Sequence, residues 1–132
     1  MGHWRTICNS ARLDLRELGL KENTFLMPTH EETERFRRDL EQLTSKEREL
    51  FGKAVGGFIA DLQAWEDAGC VGRPQFRGEL RVRSLRGRSA VWEVTWEYHD
   101  GRATFMYGPP VHEGKVHILW RRVGSHRIYE NP

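Results

Sequence analysis

The side chains best suited to catalysis or ligand binding lie in the last third of the chain, from Val91 to Tyr129. Apolar and polar residues alternate there, most clearly from Val91 to Tyr98. Because successive side chains of a strand point to opposite faces, this period of two predicts strands with one buried face and one polar face. The polar face carries carboxylates, guanidinium groups and imidazoles, which transfer protons and bind anions. On the first two predicted strands its members are Glu93, Thr95, Glu97, His99, Arg102 and Thr104.

The dipeptide Asp100-Gly101 predicts how these two strands are joined, since this pair favours a type I′ hairpin turn. The predicted cross-strand pairs are His99 with Arg102, Glu97 with Thr104 and Thr95 with Met106. Under this pairing Phe105 shares the apolar face of Trp92 and Trp96, so the turn and the alternation agree.

A further strand is predicted from Val116 to Val123, where Gly124 ends it. Arg121 and Arg122 are consecutive and point to opposite faces, so we expect one on the polar face and the other in a structural contact. His126 follows Gly124 in a predicted loop, and histidine is the side chain best suited to transferring protons near neutral pH.

The upstream half predicts the elements that support these strands. Thr29–Glu32 has the form of a capping box and predicts a helix that runs to about Leu43. Thr44–Glu47 predicts a second cap, and apolar residues at spacings of three and four continue from Leu50 to Trp65. The run Thr24–Met27 predicts a short strand before Pro28.

Together these patterns predict an α+β fold, in which a two-helix hairpin packs on one face of a small, twisted antiparallel sheet of three to five strands. A weaker alternation over Leu80–Arg83 predicts one more strand. We assign residues 24–132 to this domain and residues 1–23 to an N-terminal extension that is a short helix or flexible.

Charge is distributed unevenly along the 132 residues, although the net charge is only +2. Residues 1–70 contain ten Lys and Arg against thirteen Asp and Glu, whereas residues 71–132 contain eleven against six. The half that carries the predicted sheet is therefore basic. This favours a polyanionic partner, with ordinary solvated charges as the alternative.

The sequence lacks the signals of disulfide-rich, zinc-binding and membrane-spanning proteins. Cys8 and Cys70 are too few for a disulfide framework or a zinc cluster, and no apolar run approaches the roughly 20 residues of a membrane helix. His112, His117 and His126 have no carboxylate or Cys at ligand spacing. We therefore expect a cytoplasmic protein without membrane contact, metal or other cofactor.

Four short motifs follow one another in the basic half. They are the turn Leu85-Arg86-Gly87, the strand start Trp92-Glu93-Val94, the strand from Arg102 to Tyr107, and the C-terminal segment with Arg121-Arg122, His126 and Tyr129. In these motifs, and in the order of elements over residues 24–129, the chain resembles the RelE/ParE superfamily of bacterial toxins.

The resemblance implies the toxin of a type II toxin–antitoxin system, an endoribonuclease that cleaves mRNA on the ribosome without a metal. The 2′-hydroxyl would attack the adjacent phosphate. Arg102 and either Arg121 or Arg122 would bind that phosphate, and His126 would transfer protons.

The remaining roles follow from the same resemblance. Glu93 is a candidate base, and Tyr129 is a candidate stacking platform or proton donor. The residues expected to bind RNA are Arg81, Arg83, Arg86 and His99. The implied partners are an antitoxin protein, mRNA and the ribosome.

Two alternatives keep the scaffold and change the function. The first is a ParE-like toxin that binds gyrase, and the second is a non-catalytic domain that binds RNA or protein.

Overall fold

Two helices cover one face of a mixed sheet in the computed structural model, which describes residues 4–6 and 29–132, with side chains from residue 29 onward. The strands are β1 (Trp4–Thr6), β2 (Thr29–Thr33), β3 (Arg83–Ser84), β4 (Trp92–Glu97), β5 (Gly101–Gly108) and β6 (His117–Gly124). The helices are α1 (Glu34–Gln42), α2 (Ser45–Asp67) and two short 3-10 helices, Gly78–Leu80 and His126–Glu130. The strand expected at Thr24–Met27 and most of the expected extension lie outside the described residues.

The six strands are ordered β1-β2-β6-β5-β4-β3, and β2 pairs with β6 in parallel. The α+β class with two helices on a sheet is confirmed, but the expectation of a purely antiparallel sheet is wrong. The chain between β2 and β6 passes through both helices and through β3, β4 and β5, which gives the long crossover that a parallel pair needs. His117, buried in β6, joins the pair through hydrogen bonds to Thr29 Oγ1 (2.7 Å) and Glu31 Oε1 (3.0 Å).

The first helix starts later than its sequence predicts. Residues 29–33 form β2, so the capping box expected at Thr29–Glu32 is wrong; pairing with β6 outweighs this local signal. Thr33 is the N-cap instead, and its hydroxyl accepts a hydrogen bond from Phe36 N. The second cap is confirmed, since Thr44 Oγ1 accepts from Glu47 N and Glu47 Oε1 accepts from Thr44 N.

The core between helices and sheet is built from aromatic rings. Phe58 of α2 lies 5.1 Å from the ring of Phe105 and 5.4 Å from that of Trp120. Phe51 and Phe36 extend the cluster toward α1. Burial of each such side chain stabilises the fold by about 1.5–3 kcal/mol, so this layer fixes the sheet against the helices.

A buried carboxylate ties the end of α2 to the start of β6. Glu66 Oε2 accepts a hydrogen bond from Val116 N at 2.5 Å, and Lys115 Nζ lies 3.6 Å from Glu66 Oε1. The helix therefore holds the strand that carries the basic C-terminal residues. Within the described part of the chain, neither helix combines the length and apolar character needed to span a bilayer.

The β4–β5 hairpin keeps its predicted faces but not its predicted register. Thr95 pairs with Arg102 and Glu93 with Thr104, around a turn over residues 98–100. The predicted type I′ turn is thus wrong, and Thr95 pairs with a residue four positions before its predicted partner Met106. Because a shift of four, an even number, preserves the alternation, Glu93 and Arg102 still share the face away from the helices.

The strand expected over Leu80–Arg83 is shorter than predicted. Leu80 ends a 3-10 helix and Arg81 has a φ of +46°, so the extended region is limited to Arg83–Ser84. The chain reaches the sheet edge only at Arg83, directly opposite Glu93.

Candidate functional site

Glu93 of β4 lies on the sheet face that points away from the helices, next to the short edge strand β3. The Glu93 side chain is only 6% exposed. The next residue, Val94, points to the opposite face, into the core. Arg83 of β3 lies directly opposite, and its Nε donates to Glu93 Oε1 in an ion pair. On the other side Glu93 is paired with Thr104, whose side chain is fully buried. The carboxylate is therefore held in place by its neighbouring strands.

Tyr129 is brought to this carboxylate by the C-terminal 3-10 helix. The helix begins at the N-cap Ser125, whose hydroxyl accepts from Arg127 N. Burial first, and then a hydrogen bond to Glu93, raise the pKa of the Tyr129 phenol, while Arg102 and Arg83 oppose the shift. The phenol therefore stays protonated at neutral pH and acts as a hydrogen-bond donor.

Arg102 adds a fixed cation at the hairpin end of the same face. Its Nη1 donates to the main-chain oxygens of Glu97 (3.0 Å) and Gly101 (2.9 Å). These bonds hold the guanidinium close enough to Tyr129 and Asp100 to affect the pKa of both groups. The Arg102 guanidinium therefore lies near the Tyr129 phenol.

His126 reaches the same place from the start of the 3-10 helix. Its ring lies 5.6 Å from that of Tyr129 in an edge-to-face contact. Asp100 Oδ1 accepts from the His126 amide at 3.1 Å and is 2.5 Å from His126 Nδ1. These hydrogen bonds lower the pKa of Asp100. An ionised carboxylate at Nδ1 favours the tautomer in which Nε2 is free to accept a proton.

The consecutive arginines of β6 separate at a bulge, where Arg121 is the extra residue between the partners of Phe105 and Thr104. Arg121 lies on the face of Met106, with Nη1 3.5 Å from the sulfur, and it donates to the Pro132 oxygen through Nε and Nη2. Burial, followed by repulsion from Arg88, lowers the pKa of Arg121.

Arg122 turns toward α1 instead. Its Nε donates to Asp39 Oδ2 at 2.6 Å, and its Nη1 donates to the Asn131 oxygen at 2.8 Å. Asp39 also accepts from the Val123 amide. The structure thus gives Arg122 a contact that anchors α1 to the sheet, whereas Arg121 binds Met106 and the Pro132 oxygen.

The four residues expected to bind RNA occupy different positions. Arg83 contacts Glu93, as described above. Arg81 and Arg86 are exposed at the two ends of the short β3 edge, and His99 is exposed in the hairpin turn, where its amide donates to Glu97 Oε1. These three residues extend the positive or titratable surface without touching Glu93.

We call Arg83, Glu93, Arg102, His126 and Tyr129 the front cluster. Asp100 was missed as a functional residue because the sequence presents it as a turn former, and its partner lies 26 positions further along. The role of Arg83 as the direct partner of Glu93 was also missed, because the strand predicted over Leu80–Arg83 was not paired residue by residue with a neighbouring strand. The only sequence signal for this pairing was the alternation of apolar and charged residues around Val82.

The front cluster combines an ion-paired carboxylate, a neutral phenol, an imidazole and two guanidinium groups. Such a set can bind an anion and transfer protons beside it. Among the described residues, no three His, Cys, Asp or Glu side chains lie close enough together to hold a metal ion. Comparison of the chain with protein-family models, with curated proteins and with solved structures gives no significant match.

Proposed function

We propose that this protein is the toxin of a type II toxin–antitoxin pair and that it cleaves mRNA by attack of a ribose 2′-hydroxyl on the adjacent phosphate. The observation that supports this proposal is the convergence of Glu93, Tyr129 and Arg102 on one sheet face, with His126 in contact with Tyr129. The resemblance to RelE/ParE toxins in the sequence motifs points to the same chemistry.

In the proposed reaction His126 Nε2 accepts the proton of the 2′-hydroxyl, and the 2′-oxygen forms a bond to phosphorus. The bond from phosphorus to the 5′-oxygen breaks, and Tyr129 protonates that oxygen. The protonated imidazole then returns its proton to the phenolate. The products are a 2′,3′-cyclic phosphate and a 5′-hydroxyl, so no oxidant, reductant or water is consumed.

The remaining residues of the site bind charge or fix geometry. Arg102 stabilises the extra negative charge on the phosphate in the transition state. Glu93 is an ion-paired, buried carboxylate. We therefore assign it the positioning of Arg83 and Tyr129, in preference to the role of base. Arg122 is engaged with Asp39 and is left out of the reaction.

The test is mRNA cleavage in a translation extract by wild type, His126→Ala and Tyr129→Phe, with Arg127→Ala as the control for an exposed neighbouring residue. We expect each site variant to lose about 10²- to 10⁴-fold in rate, as for the loss of a general acid or base. Arg127→Ala should cleave normally. RNA with a 2′-deoxy nucleotide at the cleaved position should stay intact.

Failure of wild type to cleave mRNA or to arrest growth would overturn the proposal. Toxicity that persists in His126→Ala would instead favour the gyrase-binding alternative, which needs no acid–base residue. Salt-sensitive RNA binding without turnover would favour a non-catalytic RNA-binding domain.

A further inference from the structure

A second cavity, distinct from the front cluster, opens on the helix side of the sheet between the end of α2 and the strand edge. Its volume is about 710 Å³, within the range of small-molecule sites. Four aromatic side chains line it, one each from α2, the following loop, β4 and β5: Trp65, Phe76, Trp92 and Tyr107. We call this cavity the aromatic cleft.

The walls of the aromatic cleft are fixed by contacts on their outer sides. Trp65 Nε1 donates to the Val71 oxygen at 3.1 Å, which folds the loop around the indole. Phe76 stacks on Phe58 of the core with ring centroids 5.0 Å apart. Trp92 and Tyr107 meet edge to face at 5.7 Å. The cleft is therefore a preformed feature of the fold.

This aromatic surface remains open to solvent. None of the four wall residues is fully buried, and Tyr107 is 37% exposed. The apolar surface that these partly exposed rings leave in contact with water would be buried by a ligand, which favours binding. Aromatic walls favour a planar ring, because each ring face offers stacking in addition to area burial.

Polar groups at the cleft point to the rest of the ligand. The Tyr107 hydroxyl has no hydrogen-bond partner among the described residues, and burial raises its pKa to about 12, so it is a free donor. Arg73, exposed in the loop that borders the cleft, forms no ion pair with any residue in the described ranges. Lys115 is engaged with Glu66, which leaves Arg73 as the cation available to an anion.

We propose that the aromatic cleft binds a nucleobase that carries a phosphate, with the base stacked on Trp92 and Trp65 and the phosphate at Arg73. The donor of Tyr107 meets an acceptor on the ring. Base stacking on aromatic side chains contributes about 1–3 kcal/mol per base, and Arg is the side chain best suited to phosphate. A free nucleotide and one nucleotide of an RNA strand share this chemistry.

This site is independent of the nuclease chemistry. Trp92 lines the cleft whereas Glu93, the next residue, belongs to the front cluster, so the two sites lie on opposite faces of β4. Ligand binding in the cleft can therefore be measured whether or not the protein cleaves RNA.

The test is titration of the intact chain with AMP, adenosine and ribose 5-phosphate, followed by tryptophan fluorescence and by calorimetry. We expect saturable binding, with affinity decreasing from AMP to adenosine to ribose 5-phosphate. Binding should quench the fluorescence of the cleft tryptophans. Arg73→Ala should weaken AMP about tenfold and leave adenosine unchanged, as for loss of one phosphate contact. Tyr107→Phe should weaken both by about two- to tenfold, as for one lost hydrogen bond.

Arg86→Ala is the matched control, because it removes an exposed arginine that does not line the cleft. A single-stranded RNA hexamer distinguishes the two sources. If the hexamer binds more tightly than AMP and Arg73→Ala weakens its binding, the ligand of the cleft is an RNA strand. If AMP binds more tightly than the hexamer, the ligand is a free nucleotide. The proposal is overturned if neither AMP nor the hexamer shows binding that depends on Arg73 and Tyr107, whatever the outcome of the cleavage assay.

Discussion

Gly101 shows how one residue sets the geometry of the hairpin that carries Arg102. A Cβ built at this position would lie 2.5 Å from Glu97 Cβ and 2.8 Å from Glu97 N, closer than real Cβ atoms approach other atoms. The close approach follows from the turn over residues 98–100 and from the extra residue Trp96 in β4. Glycine is thus required here for space, and not for a positive φ.

We therefore expect Gly101→Ala to destabilise the protein by about 1–3 kcal/mol, as for overpacking of a tightly packed site. Gly78→Ala is the control, because nothing lies within 4 Å of a Cβ at that position. Urea denaturation followed by tryptophan fluorescence measures both. Equal effects of the two substitutions would contradict the close approach.

Strand alternation alone places Glu93, Arg102 and the core-facing Trp92 on their observed faces. It cannot give the register, because the number of turn residues and the bulge at Trp96 depend on packing against Gly101. The pairing of Asp100 with His126 joins a turn to a helix start and has no local sequence signal. The sheet face of each residue could thus be predicted from the sequence, whereas its pairing partner could not.

At the level of elements, a clamp between Asp61 of α2 and Arg77 fixes the loop that leads to β3. Arg77 donates to Asp61 Oδ2 through its amide (2.9 Å) and Nε (3.0 Å), and to Oδ1 through Nη2 (3.0 Å). Gly57, one turn earlier on α2, leaves space for this guanidinium; a Cβ there would lie 2.9 Å from Nη1. The clamp holds the loop against α2.

The hydrogen bonds from Arg77 lower the pKa of Asp61 below its ordinary value of 3.8. A carboxyl group with a depressed pKa stabilises the fold above its unfolded-state pKa, and this contribution is lost as pH falls through the folded-state pKa. We therefore expect Asp61→Asn to lower Tm by a constant amount from pH 7 to about pH 5 and by progressively less below about pH 4.

Differential scanning calorimetry of wild type and Asp61→Asn across this pH range measures the effect. In an Arg77→Ala background the difference should be smaller and should change less with pH, since the partner that lowers the Asp61 pKa is gone. A Tm difference that grows on acidification would contradict the assignment.

The two helices also show why local signals succeed or fail. Thr44 and Glu47 form their capping box as predicted, because both partners lie within one turn. The similar pattern at Thr29–Glu32 fails because those residues form a strand whose partner begins at His117. Capping contributes about 1 kcal/mol, and the ladder and burial of a central strand outweigh it.

For the molecule as a whole, the parallel pair β2–β6 closes the longest loop in the described fold. The turns of helix α2 are closed by hydrogen bonds between residues close in sequence, whereas β6 joins residues about 88 positions apart. Non-local contacts form late because their loop-closure entropy is lost before they contribute. We infer that α2 forms ahead of the β2–β6 pair.

Two substitutions of similar expected cost test this order. Ile118→Val in the buried part of β6 and Ala64→Gly on the exposed side of α2 should each destabilise by about 1 kcal/mol. Stopped-flow chevrons should show that Ile118→Val mainly speeds unfolding while Ala64→Gly mainly slows folding. The opposite partition would place β6 in the folding nucleus.

The late position of β6 also bears on when the front cluster first exists. Its five side chains all lie between residues 83 and 129, and the 3-10 helix that carries Tyr129 follows β6 directly. Tyr129 therefore reaches Glu93 only once β6 has joined the sheet, because the 3-10 helix begins two residues after the end of that strand. The front cluster is consequently completed late in folding, together with the β2–β6 pair.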